Sequence, residues 1–172
     1  PVAHSFPTRR SSDLYYEPRT SHGSTLSKVV HSIISAYAHP GEDTAWQWFK
    51  EALESDIYDT QGGTTTEGIH TGVMAGTIDV ITRYFAGVEF CNGKLTIDPN
   101  IPPHWEQLAF RVRRRGVWYA FEFSPTRVRL RVTGKGTKPI PVTICGADHL
   151  LQLGEELEVG VRCATGVATR DG

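Results

Sequence analysis

From Ser24 to about position 87 the apolar residues of this chain recur with a period near 3.6, and beyond it they alternate with a period of 2. One element type cannot satisfy both spacings, so a helical part must be followed by a β part. Leu26, Val29, Val30, Ile33, Ile34 and Tyr37 fall at i, i+3, i+4, i+7, i+8 and i+11, forming one stripe of a helix that starts at Ser24 and stops at His39-Pro40-Gly41. A second helix is expected from Asp43 to about Ser55, with Trp46, Phe49, Leu53 and Ile57 inward and Lys50, Glu51 and Glu54 toward water. Tyr58 to Gly68, rich in Gly and Thr, reads as a loop. A third helix, Ile69 to Phe85, carries two stripes: Ile69, Val73, Val80 and Tyr84 on one, Met74, Ile78, Ile81 and Phe85 on the other. A helix apolar on two sides is packed on two sides, and small Gly72, Ala75 and Gly76 would let a neighbouring backbone come close.

After Ala86-Gly87 the inward and outward positions separate cleanly. Leu108, Phe110 and Val112 alternate with Arg111 and Arg113; Val117, Tyr119, Phe121 and Phe123 with Trp118, Ala120 and Glu122; Val128, Leu130 and Val132 with Arg127, Arg129 and Arg131. These are half-buried antiparallel strands. Arg115-Gly116 and Asn92-Gly93 mark tight two-residue turns, the latter joining Val88–Cys91 to Lys94–Ile97, and Ser124-Pro125-Thr126 separates two further strands. Pro99, Pro102 and Pro103 force an extended crossing, and short runs at Ile140–Ile144, His149–Leu153 and Glu156–Val161 complete seven or eight strands. The expected class is α+β, helices followed by an antiparallel β-sandwich over residues 88–162, with 163–172 as a disordered tail.

Composition narrows the function. The 172 residues carry 18 Lys+Arg against 19 Asp+Glu, a net charge of -1, which supplies no overall electrostatic footprint for nucleic acid or an anionic membrane. No apolar run approaches the roughly 18 residues of a spanning helix. Cys91, Cys145 and Cys163 are odd in number, widely spaced and without a metal-ligand pattern, so neither a disulfide framework nor a zinc site is expected and a reduced, cytoplasmic setting is the default. Residues 1–14 show neither period, and Ser5 to Leu14 resembles translated sequencing adaptor; the alternative is a disordered N-terminal tail.

Two polar clusters each precede a helix. Arg19-Thr20-Ser21-His22-Gly23-Ser24-Thr25 offers free backbone N–H groups, two hydroxyls and the positive end of a helix dipole, the makings of an anion site. The competing reading is that Ser24 or Thr25 is an ordinary N-cap. In Gly62-Gly63-Thr64-Thr65-Thr66-Glu67-Gly68-Ile69-His70, Glu67 can serve as acid, base or sugar-hydroxyl acceptor, with His70 at i+3. Its competing reading is a Thr cap followed by a Glu that complements the dipole. The arginines at 111, 113, 114, 115, 127, 129 and 131 are either a surface for an acidic partner or the wetted face of the sandwich. Trp46, Trp48 and Phe49 are core by spacing, whereas Trp105 and Trp118 stay open between core and a carbohydrate-stacking surface.

At these clusters the sequence resembles the C-terminal part of family 65 glycoside hydrolases, the group of maltose, trehalose and kojibiose phosphorylases and related hydrolases. The matching stretches are Tyr15-Tyr16-Glu17-Pro18-Arg19-Thr20-Ser21-His22-Gly23-Ser24-Thr25-Leu26-Ser27, the run from Gly62 to Thr77, and the run from Leu95 to Trp105. The resemblance covers Tyr15 to roughly Val161, and its motif variant is most similar to the trehalose-related branch. It implies that residues 15–87 are the last helices of an (α/α)6-barrel catalytic domain and that the sandwich is of jelly-roll type.

The implied reaction is inverting cleavage of an α-glucosidic bond, in which a carboxylic acid protonates the leaving oxygen and a nucleophile attacks from the opposite face. In the phosphorylases inorganic phosphate is that nucleophile, giving β-glucose 1-phosphate; in the hydrolases a carboxylate activates water. The resemblance makes His22, Gly23, Ser24 and Thr25 phosphate-binding candidates and Glu67 and His70 substrate-binding candidates. It implies no resident cofactor or metal, a disaccharide and phosphate as the small-molecule partners, and a possible homodimer. No residue here matches the family's general acid Glu, which lies upstream in the barrel, so the chain by itself is expected to be an inactive fragment. The alternatives are a trehalase-like hydrolase of the same family and a non-catalytic carbohydrate-binding sandwich. Apolar helix faces left uncovered are also expected.

Overall fold

The computed structural model describes residues 24–38, 43–60, 62–63, 66, 68–102, 104–136 and 138–161, with backbone alone at 37–38. The chain divides into two compact units, residues 1–81 and 82–172.

In the first unit, helices α1 (Thr25–Ala38), α2 (Thr44–Glu54) and α3 (Thr71–Asp79) pack on one another. Many of their buried side chains are small. Ser32, Ser35, Ala45 and Ala52 are buried together with Val29, Phe49, Val73 and Thr77, and the Ser32 hydroxyl donates to the Ala45 carbonyl at 2.8 Å. Gly76 is the closest approach: a Cβ there would lie 2.6 Å from Val29 Cγ1. Gly72 faces no such neighbour.

Three expectations are corrected in this unit. The stripe on α1 is only partly buried: Val29 lies inside with Thr25, Ser32 and Ser35, while Leu26 (47% exposed), Val30 and Ile34 lie outside, an uncovered apolar face of the kind expected. Helices that approach closely bury small residues at the contact, so bulk alone does not mark the inner face. On α2, Phe49 is buried but Leu53 and Ile57 are exposed. The third helix begins at Thr71 rather than Ile69, and its α ladder gives way at Asp79 to a π-helical segment, Val80–Phe85. That widening falls on Val80-Ile81-Thr82, consecutive β-branched residues that crowd a tight α turn. Val73 and Val80 of one expected stripe and Phe85 of the other are buried, whereas Ile69 and Ile78 are exposed.

The second unit is two four-stranded sheets. One has the order β1-β2-β6-β7, built from Val88–Cys91, Lys94–Ile97, Ile140–Ile144 and Ala147–Leu151. The other has the order β3-β4-β5-β8, built from Leu108–Arg114, Val117–Ser124, Arg127–Thr133 and Glu156–Gly160. The inward residues of both sheets form one core, including Val88, Leu95, Ile97, Val142 and Ile144 from the first and Tyr119, Phe121, Phe123, Val128 and Leu130 from the second. Burying each of the phenylalanines contributes about 2 kcal/mol. Phe90 meets Tyr119 edge-to-face across the sheets at 5.0 Å, and burial pushes the Tyr119 phenol up from its usual range.

Turn chemistry sets the registers. Asn92-Gly93, Arg115-Gly116 and Cys145-Gly146 all have both residues at positive φ (50 and 83, 49 and 83, 48 and 80), the conformation of a type I′ hairpin turn. The Cys145-Gly146 turn starts β7 at Ala147, earlier than the expected His149; nothing about Cys advertises a turn. One pairing departs from the antiparallel pattern: β2 and β6 run parallel, Leu95 opposite Val142 and Ile97 opposite Ile144. The chain forms β3, β4 and β5 in the other sheet before it returns, so β6 comes back beside β2 in the same direction. No described helix is long and apolar enough to cross a membrane.

Candidate functional site

Helix α1 opens with Ser24 as its cap. The Ser24 Oγ accepts the Leu26 N–H at 3.3 Å, and the Ser24 carbonyl accepts the N–H and the hydroxyl of Ser27. The capping expectation for Ser24 is therefore met, and among the described residues its hydroxyl hydrogen has no acceptor. Thr25 is buried. His22, Gly23 and Glu67 lie outside the described residues.

Helix α3 opens with His70 as its cap residue, whose carbonyl accepts the N–H groups of Val73 and Met74. Asp56, just past the end of α2, grips this residue twice. One carboxylate oxygen accepts the His70 backbone N–H at 2.9 Å and the other lies 2.5 Å from His70 Nδ1. The side chains are 12% and 28% exposed, Asp56 the deeper. The bond from the imidazole holds the Asp56 carboxyl below the usual carboxylate range, with burial opposing it. Between the pair, Asp59 at φ 46 accepts the Gly63 N–H at 2.7 Å, and Gly62, Gly63 and Gly68 take positive φ, which folds the loop back on itself. Among the described residues, no hydrogen bond or ion pair joins Ser24 or Thr25 to His70, and no group of three His, Cys, Asp or Glu side chains is placed to hold a metal ion.

Sequence reasoning missed Asp56. An Asp fourteen positions before a His carries no periodic signal; only the folding of the Gly/Thr-rich loop brings them together.

The sandwich resolves the open aromatics and arginines. Trp105 packs edge-to-face on Phe85 at 5.5 Å and belongs to the core margin, whereas Trp118 is exposed beside the Arg113 guanidinium. Arg129 is the centre of a carboxylate cluster: it bonds Glu158 at 2.8 Å and Glu122 at 3.1 Å and lies 3.4 Å from Glu156. On its own that face behaves as a solvated, charge-paired sheet surface.

Residues 5–79 match the glycosyl hydrolase family 65 central catalytic domain and residues 88–151 match the family 65 C-terminal domain. The chain belongs to glycoside hydrolase family 65. The first match begins inside the stretch that resembles adaptor. An uncharacterized glycosyl hydrolase of Mycobacterium tuberculosis is 38% identical over 146 residues, which cover 85% of this chain and 11% of that protein. Trehalose 6-phosphate phosphorylase of Lactococcus lactis is 44% identical over 59% of this chain and 13% of its own length. For alpha,alpha-trehalose phosphorylase of Geobacillus stearothermophilus the values are 32%, 87% and 19%. A solved structure from the human microbiome, assigned by its name to the kojibiose phosphorylases, superposes with a TM-score of 0.71 at 28% identity, covering 86% of this chain and 19% of that one. The chain thus spans a fifth or less of the length of these relatives.

Proposed function

We propose that the whole protein is a cytoplasmic, inverting α-glucoside phosphorylase that converts a glucose disaccharide of the trehalose, maltose or kojibiose type to β-glucose 1-phosphate. The observation that carries this reading is the Ser24-capped opening of α1, an exposed hydroxyl at the positive end of a helix dipole, in a chain whose named relatives include several phosphorylases. In this reading His22, Gly23, Ser24 and Thr25 hold inorganic phosphate, the co-substrate, and Glu67 and His70 hold the sugar. Phosphate attacks the anomeric carbon from the face opposite the leaving oxygen, so no protein base is needed. The acid that protonates the leaving oxygen is a Glu outside this chain, and the chain alone is inactive. No resident cofactor takes part, and a homodimer is the expected assembly.

The test is an assay of the full-length protein on trehalose, trehalose 6-phosphate, maltose and kojibiose with and without inorganic phosphate, following the product anomer by proton NMR. Phosphate-dependent appearance of β-glucose 1-phosphate is the expected result. Glucose released at the same rate without phosphate makes the protein a hydrolase instead, and turnover by the 172-residue chain alone overturns the assignment of the acid.

A further inference from the structure

We infer that Asp56 is a positioning residue for His70: it selects the Nδ1–H form of the imidazole and thereby makes Nε2 the nitrogen offered to a substrate oxygen. A carboxylate held ionised can only accept hydrogen bonds, so the contact of Asp56 Oδ1 with His70 Nδ1 requires a proton on Nδ1. In free neutral imidazole the proton is shared between two tautomers; here one of them would set lone pair against carboxylate. The second oxygen of Asp56, on the His70 backbone N–H, removes the remaining freedom by fixing the residue that carries the ring. Because His70 is also the cap of α3, its backbone is held from both sides, by Asp56 and by the N–H groups of Val73 and Met74.

The ring is more open than its partner, 28% against 12%, and Nε2 makes no hydrogen bond among the described residues. The nitrogen remote from Asp56 is therefore the one a ligand can reach. A carboxylate oriented behind a histidine fixes its tautomer and ring direction, so that the outward nitrogen meets its ligand without paying to reorient. That the ligand is the carbohydrate or phosphate rests on the function proposed above; the selection of the tautomer does not.

The experiment separates the two. In the 172-residue chain labelled with 15N-histidine, the ring nitrogen shifts of His70, assigned by comparison with His70→Gln, report the tautomer above the imidazole titration. The expected pattern is Nδ1–H in the native chain and predominantly Nε2–H in Asp56→Ala, with Asp56→Asn intermediate because an amide oxygen can still accept one bond. An Nε2–H pattern in the native chain overturns the inference, as does a native pattern that persists in Asp56→Ala. Circular dichroism of each variant establishes that the helices remain folded; if Asp56→Ala unfolds, Asp56→Asn and the native chain decide. In the full-length protein, Asp56→Ala is expected to raise the KM for the ligand that His70 contacts by about 10-fold while lowering kcat less, a split that lost folding would not produce. An unchanged KM in a folded variant also overturns it. Failure of the full-length protein to turn over any disaccharide would count against the proposed function and leave the NMR result standing.

Discussion

The backbone of Gly87 lies against the backbone of Asp98 so closely that a Cβ on Gly87 would stand 1.9 Å from the Asp98 carbonyl oxygen. The two are joined by the Asp98 N–H donating to the Gly87 carbonyl at 3.0 Å, and Asn100 N–H reaches Phe85 O at 2.8 Å beside it. These bonds extend the β1–β2 pairing toward the helix that precedes it. With φ at +63, the position needs glycine for conformation as well as for space.

Gly87→Ala is accordingly expected to destabilise the sandwich by at least about 2 kcal/mol, through steric displacement and a left-handed backbone together. Urea unfolding followed by the fluorescence of Trp105 and Trp118 measures it. A midpoint equivalent to a change below ~0.5 kcal/mol would contradict the close approach.

Gly76 offers a sharper test because two effects oppose. Helix propensity predicts that Gly76→Ala stabilises α3 by about 1 kcal/mol, whereas insertion of a methyl against Val29 predicts a cost of about 1–3 kcal/mol. Contact wins, because Val29 is buried and β-branched and has no free rotamer to retreat into. Pairing the change with Val29→Ala should be less harmful than the sum of the two by ~0.5 kcal/mol or more in a double-mutant cycle. Simple additivity would show that the two positions do not touch.

Acid should weaken the sandwich through two carboxylates. The bond from Arg129 holds Glu158 below the usual carboxylate range, and the Thr143 hydroxyl followed by Lys94 does the same for Asp148. A folded-state pKa below the unfolded one contributes stability that is present above the unfolded value and is lost as the pH falls through the folded one. The loss therefore continues below the range where ordinary Asp and Glu titrate. Arg129→Met and Asp148→Asn should each flatten the decline in melting temperature between neutral pH and the acid limb, and added salt should flatten it too because these groups are exposed. An acid limb unchanged in both variants would place the effect elsewhere.

Leu26, Val30 and Ile34 form an exposed line on α1, spaced four residues apart. Replacing all three with Gln is expected to reduce self-association of the chain in sedimentation velocity while changing its stability by about 0.5 kcal/mol or less per site. Val29→Gln, one position away but buried, should instead unfold the helices. Unfolding by the outer set with a neutral Val29→Gln would mean that the faces have been assigned the wrong way round, and equal effects would mean that they do not differ.

Much of the sandwich was legible in advance because a strand shows its two faces residue by residue. Phe121 and Phe123 inward, Trp118 and Glu122 outward, and the turns at Asn92-Gly93 and Arg115-Gly116 all follow from period-2 alternation and from glycine's tolerance of positive φ. The helices were legible as helices but not as faces. Leu53 and Ile78 look like core by size, yet the buried contacts run through Ser32, Ala45, Ala52 and Gly76, where smallness is what permits approach. For the candidate site, the polar opening at Ser24 could be read directly as a helix start, whereas the third helix starts two residues later than its pattern suggests, with His70 as its cap. Asp56 could not, because its partner lies across a loop whose path depends on Asp59, Gly62 and Gly63.

By itself, then, the sequence determined the order of the two structural types, the inward residues of the strands and the helix openings that carry the family's polar motifs. These are local properties, settled by spacing along the chain. Only the tertiary structure decided which helix faces meet, that β6 returns parallel to β2, and that a carboxylate stands behind His70. Each of those depends on distances between segments far apart in sequence, which hydrophobic periodicity does not encode.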